Sequence, residues 1–117
     1  MSVSGWYSAN LRKVCLIEGQ SATLAMDSVR IFRAVDFDDA FLRAVSLGRQ
    51  SEEEYKNEEG KTVRWRLQVV LSLDSVKTED LDGAEVHCAF VDLPSDEIVP
   101  FESEFRPQNS TPTETLG

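Results

Sequence analysis

The side chains best equipped for chemistry are neighbours, His87 and Cys88. A nucleophilic thiolate needs a base beside it, and His87 is the single histidine. Adjacent residues of a strand face opposite sides, however, so His87 is badly placed to activate Cys88. A pairing of Cys15 with His87 stays geometrically open. The plainer reading makes both thiols small core residues. A metal site would draw on Cys15, His87, Cys88 and a carboxylate, yet no Cys-x-x-Cys or His-x-x-x-His spacing prepares one. Carboxylates cluster at Asp36/Asp38/Asp39, Glu52–Glu54, Glu58/Glu59 and Asp80/Asp82. General acid catalysis asks for one desolvated carboxyl beside a solvated one. These runs fall instead in polar turns and at a helix start. The glycines form no Gly-x-Gly-x-x-Gly phosphate loop. The expectation is no catalytic residue, no metal and no cofactor.

Arg64 and Arg66 are better candidates for binding. Both project from one face of an alternating stretch, beside Trp6 or Tyr55 if a hairpin forms there. Arginine forks hold carboxylates and phosphates, and with aromatics they make interface hot spots. The competing reading pairs them across the sheet with Glu53 or Glu85. Trp65 lies on the apolar stripe and reads as core, whereas Trp6 suits core and interface equally. The candidate binding residues are therefore Arg64, Arg66, Trp6 and Tyr55.

These residues need elements to position them. Trp6 to Ile17 reads as a first strand, bulged where alternation fails at Val14-Cys15-Leu16-Ile17, and Glu18-Gly19-Gln20-Ser21 as a turn. A second strand runs through Val29–Val35 and starts somewhere in 22–28. Val29, Ile31 and Val35 share one face, Arg30, Phe32 and Ala34 the other. From Asp36 the period changes. Phe37, Phe41, Ala44, Val45 and Gly48 make one helical stripe, with Asp36 as N-cap and Gly48 as a left-handed C-terminal residue. Tyr55 and Val63 flank the turn Asn57-Glu58-Glu59-Gly60 as a hairpin.

Val63 to Leu73 alternates almost without fault. Val63, Trp65, Leu67, Val69, Leu71 and Leu73 line one face, and Val70 alone breaks the other. A flat strand of that length spans about 36 Å. That is too long for a chain with an expected radius of gyration of ~13 Å, so the strand must bend. After a turn at Asp80-Leu81-Asp82-Gly83, Glu85 to Val91 reads as a last strand stopped by Pro94. The predicted fold class is α+β: a mainly antiparallel four- to five-stranded sheet with one helix on one face, in the order β-β-α-(β)-β-β. The domain spans 1–94. Residues 95–117 form a polar, proline-containing tail, partly disordered or docked through Ile98, Val99, Phe101 and Phe105. One helix leaves the second sheet face bare at Phe32, Val70, Ala89 and Val91, to be covered by the tail or a second subunit.

Composition narrows the classes. The chain of 117 residues is 41% apolar and 28% charged, as in ordinary globular domains. Twelve basic and 21 acidic residues give a net charge of -9. Residues 1–50 carry +1 and residues 51–117 carry -10. Such a field repels nucleic-acid backbones and favours a basic protein partner, or simply keeps the protein soluble. Nucleic-acid binding would need Lys13 and the five arginines of residues 1–50 on one surface. Two cysteines are too few for a disulfide scaffold, no apolar run approaches a membrane span, and the start lacks signal-peptide character. The expected location is cytoplasmic.

Three segments together resemble a family. They are Trp6-Tyr7-Ser8-Ala9-Asn10-Leu11, the block from Tyr55-Lys56-Asn57 through Gly60 to Val63-Arg64-Trp65, and Asp82-Gly83-Ala84-Glu85-Val86. They are similar to the small bacterial domains of unknown function numbered 4288, over about residues 6–92. The resemblance implies a bacterial origin and a domain extent, and it implies no catalytic residues. The expected function is a non-enzymatic protein-interaction domain, in one version immunity- or antitoxin-like, with a protein partner or a homodimer through the open sheet face. The alternative is a small ligand-binding domain or enzyme with a pocket between helix and sheet, using His87, Cys15 or Arg66.

Overall fold

A computed structural model describes residues 4–113. The elements in chain order are β1 (Gly5–Ile17), β2 (Leu24–Ala34), α1 (Phe37–Gln50), β3 (Glu53–Lys56) and β4 (Thr62–Val76), followed by a 3-10 turn at Pro107–Asn109. The strands form one antiparallel sheet in the order β2-β1-β4-β3. The fold class is α+β with one helix and four strands.

Each expected turn has its local cause. Gly19, Gly60 and Gly83 take positive φ of 77–80°, where a side chain is strained. Asn57 Oδ1 accepts from Glu59 N and Lys61 N, closing the β3–β4 hairpin in which Tyr55 opposes Val63. Asp36 caps α1 by accepting from Asp39 N at 2.8 Å, and the Asp39 carboxylate accepts from Val35 N at 2.9 Å. The two carboxylates thereby satisfy two backbone donors at the helix start, one in the first turn and one just before the cap.

The long strand bends as its length requires, by a route that local alternation hides. Along β1–β4 the register slips twice, between Asn10/Leu11 and between Arg12/Lys13. Each slip leaves one extra residue on β4, Leu71 and then Gln68, and such bulges sharpen twist. The Glu52 carboxylate accepts from Leu67 N at the second slip. Core contacts on β4 therefore fall at Leu67, Val70 and Leu73, every third residue. Val70, which breaks the expected stripe, belongs to the core, while Val69 and Leu71 are exposed.

The helical stripe is likewise rotated from its expected position. Ala40, Ala44 and Gly48 are buried, and the two alanines cluster with Ala9, Leu11, Phe32 and Ala34. Phe37, Phe41 and Leu42 face out. Small residues win the inner face because they let the helix approach the sheet. A Cβ on Gly48 would lie 2.8 Å from Leu67 Cδ1. Gly48 thus serves packing and not the helix end, where Ser51 in right-handed conformation is the C-cap. Phe32 lies in the core, contrary to its expected place on the bare face, and it sets the inward side of β2. Lys13 is buried on the same side as Leu11 and donates to Ser51 O at 3.0 Å, a cation at a helix C-terminus.

The expected strand Glu85–Val91 does not form: residues 84–94 have no regular structure. The segment instead crosses the sheet face opposite α1. Ser8 Oγ donates to Val86 O, and His87 Nδ1 lies 3.1 Å from Asp74 Oδ2. Side chain contacts have replaced a ladder. Beyond it, Ile98, Val99, Phe101 and Phe105 are exposed. The radius of gyration is 18.6 Å, above the roughly 13 Å of a compact chain of this length, in keeping with strands of 13 and 15 residues and an exposed C-terminal segment.

Candidate interaction surface

The four candidate binding residues occupy three places. Arg64 and Arg66 share the face of β4 away from α1, and both reach Glu54, at 2.7 and 3.3 Å. The acid is Glu54, beside the expected Glu53, because Glu54 opposes Arg64 while Glu53 opposes Trp65. Tyr55 is on the other face, where its hydroxyl accepts from Trp65 Nε1 at 3.2 Å. Trp6 is ten residues along β1 from Leu16, the residue opposite Arg64, a separation of roughly 33 Å. There Arg33 stacks over its ring at 4.5 Å and is held by Glu79 at 2.7 Å. One surface does not contain all four.

His87 has gained neighbours that resemble a catalytic trio. Its Nδ1 lies 3.1 Å from Asp74 Oδ2 and 3.4 Å from Ser72 Oγ. Proton relay from a serine needs the two ring nitrogens to face base-orienting acid and nucleophile separately. Here one nitrogen faces both, so the trio is a clamp on the 84–88 segment and not a relay. A cleft of about 230 Å³ beside it is lined by Asp74, Lys77, Glu85, His87 and Cys88. Cys88 is exposed and Cys15 buried, and His87 bonds to neither. Among the described residues no three potential ligands gather for a metal ion. The groove between α1 and β4, about 370 Å³, is lined by Phe41, Val45, Arg49, Leu67 and Val70. None of His87, Cys15 and Arg66 reaches it.

The surface that local sequence does not announce is β2. It is an edge strand of 11 residues, hydrogen-bonded among the described residues to β1 on one side. Leu24, Met26, Val29 and Ile31 on it are all exposed. Apolar residues on both faces normally mark an interior strand, and here they stand at an edge. Arg12 anchors the strand by binding Asp27 through two hydrogen bonds, at 2.7 and 2.9 Å. That hydrogen bond, with the guanidinium charge behind it, holds the Asp27 carboxyl below its ordinary value. At the turn joining β1 to β2, Glu18 is lowered too, first by the hydrogen bond from Thr62 N and then by Lys56.

Fold and surface define a small α+β domain whose reactive side chains are dispersed and whose apolar edge is open. The sequence pattern of the family described as Domain of unknown function (DUF4288) matches residues 6–88, and the chain belongs to that family. The match takes in all four strands, the helix and the Val86–His87 clamp. No curated protein and no solved structure matches the chain.

Proposed function

We propose that this chain is a non-catalytic protein-interaction domain that associates through the β2 edge. The observation carrying this reading is the unpaired outer side of β2 together with Val29 and Ile31, which are 49% and 41% exposed. An exposed, long, apolar edge strand is a template for another strand. Fully burying a side chain of this size contributes about 1.5–3 kcal/mol, and Val29 and Ile31 retain about half of that to give, so added backbone pairing along the strand has to supply the remainder. The acidic half, at -10, steers a basic partner in the antitoxin-like version of the reading and keeps a homodimer soluble in the other. The setting is a bacterial cytoplasm. Sedimentation of the full chain tests the reading. The unaltered chain should sediment heavier than 13.1 kDa, and Val29→Lys should bring it down to that mass. A monomer at every concentration, with no partner recovered from the host, removes it.

A second reading, a small-ligand site, is favoured by the cleft at His87. Lys77 there is the group that would hold a small anion, set against the carboxylates of Asp74 and Glu85 in the same lining. Titration with inorganic phosphate should then shift the His87 ring resonances, and unmoved resonances dispose of this alternative.

A further inference from the structure

Among the described residues the sheet has an edge without a neighbour and a strand-like segment lies outside the sheet. We propose that Cys88–Leu93 of one copy adds as a strand to the β2 edge of a second copy, giving a reciprocal dimer; this rests on the interaction reading above and names its partner. Cys88, Phe90 and Asp92 alternate with Ala89, Val91 and Leu93 in the period of a strand, and Pro94 bounds the run. Such a pattern has a partner in most folds, yet here Phe90 is fully exposed and Val91 and Leu93 are 78% and 58% exposed. Local preference and the isolated chain disagree, and natural sequences seldom leave such a disagreement standing. The segment leaves the sheet from a fixed point, since Ser8 and Asp74 hold Val86 and His87.

Size and charge select the second copy as occupant. Six residues span about 20 Å, and the 11 of β2 span about 36 Å, so the whole segment fits along the edge. Within β2, Asp27 is already taken by Arg12, and Arg30 has no carboxylate partner among the described residues. Residues 85–97 carry Glu85, Asp92, Asp96 and Glu97 and no lysine or arginine. Asp92 in the strand, with Glu85, Asp96 and Glu97 flanking it, thus meets an edge whose unpaired charge is Arg30, whereas β2 against β2 sets one positively charged strand against another.

The test is complementation by light scattering of the full chain. Phe90→Asp with Val91→Asp damages the segment, and Val29→Lys with Ile31→Lys damages the edge. All four positions are exposed, and circular dichroism verifies that each variant folds. The unaltered chain should give twice 13.1 kDa. Each variant alone should dissociate at least about tenfold more readily, since a charge replaces an apolar contact. An equal mixture of the two should regain a dimer, because one intact segment then meets one intact edge. A dimer lost on the edge variant but indifferent to Phe90→Asp/Val91→Asp overturns the strand exchange and leaves the interaction reading standing. A mixture that stays monomeric also overturns it. A monomer of the unaltered chain throughout overturns the strand exchange, including the case in which the segment docks on its own β2, and removes the interaction reading as well only if no partner is recovered from the host.

Discussion

The two edges of one sheet are built on opposite plans. At one side β3 is four residues long, Glu53-Glu54-Tyr55-Lys56, all exposed and three of them charged. Its Glu54 is fastened to Arg64 and Arg66. Short length and charge are how soluble proteins prevent strands from adding to an edge. At the other side β2 is 11 residues long, apolar on both faces, with Asp27 its one acid. The same chain that blunts one edge leaves the other bare. That difference teaches that bareness at β2 is a property of this surface and not a general failing of a small acidic domain.

The comparison can be broken most forcefully by reversing the protected edge. Glu53→Val with Glu54→Val should make β3 resemble β2. Two adhesive edges on one sheet permit open-ended assembly, so light scattering should show species beyond a dimer and solubility should fall. Retained dimer mass would show that charge is not what protects β3. Next in size, Gly48→Val should destabilise the fold by about 1–3 kcal/mol through overpacking against Leu67. It should leave association intact, because the β2 edge is separated from that contact on β4 by β1. Urea unfolding measures the first and sedimentation the second.

A smaller effect comes from Glu54→Gln. It weakens both arginine pairs, but exposed pairs contribute about 0–1 kcal/mol, so urea midpoints should barely move. A large loss would mean that the β3 edge is structural and not merely protective. The smallest effect is on pH dependence. Asp27 is held below its ordinary value of 3.8 in the folded state. Its contribution is therefore complete above pH 3.8 and disappears as pH falls through the lower folded value. Glu18, lowered from 4.5, acts in the same direction over a slightly higher window. Asp27→Asn should flatten the acid limb of the stability curve, and an unchanged limb would contradict the Arg12 anchor.

Much of this fold was legible where causes are local. Asp36 as cap, glycine turns at Gly19, Gly60 and Gly83, and the Tyr55–Val63 hairpin all follow from neighbours in sequence. What escaped was set by partners distant in sequence. Alternation placed Val69 and Leu71 inside because it carries no mark of the bulges at Leu71 and Gln68. The helical spacing put Phe37 and Phe41 on the inner stripe with Ala44 and Gly48; the two small residues are buried as expected, while close approach to the sheet brought in Ala40 and turned the phenylalanines out. Glu85–Val91 has a strand's pattern and no ladder in its own sheet. Of the candidate binding residues, Arg64 and Arg66 were rightly placed together on one face, but Tyr55 is on the other face and Trp6 at the far end of β1. The β2 edge had no local signal, since strand order is a tertiary fact. Its nearest hint was an apolar strand with residues on both faces.

Hydrogen exchange of the full chain at two concentrations tests the contrast between the edges most directly. The account predicts that amides of β2 slow in exchange as concentration rises, while those of β3 exchange alike at both. Equal rates along β2 at the two concentrations, or slowing confined to β3, would contradict it.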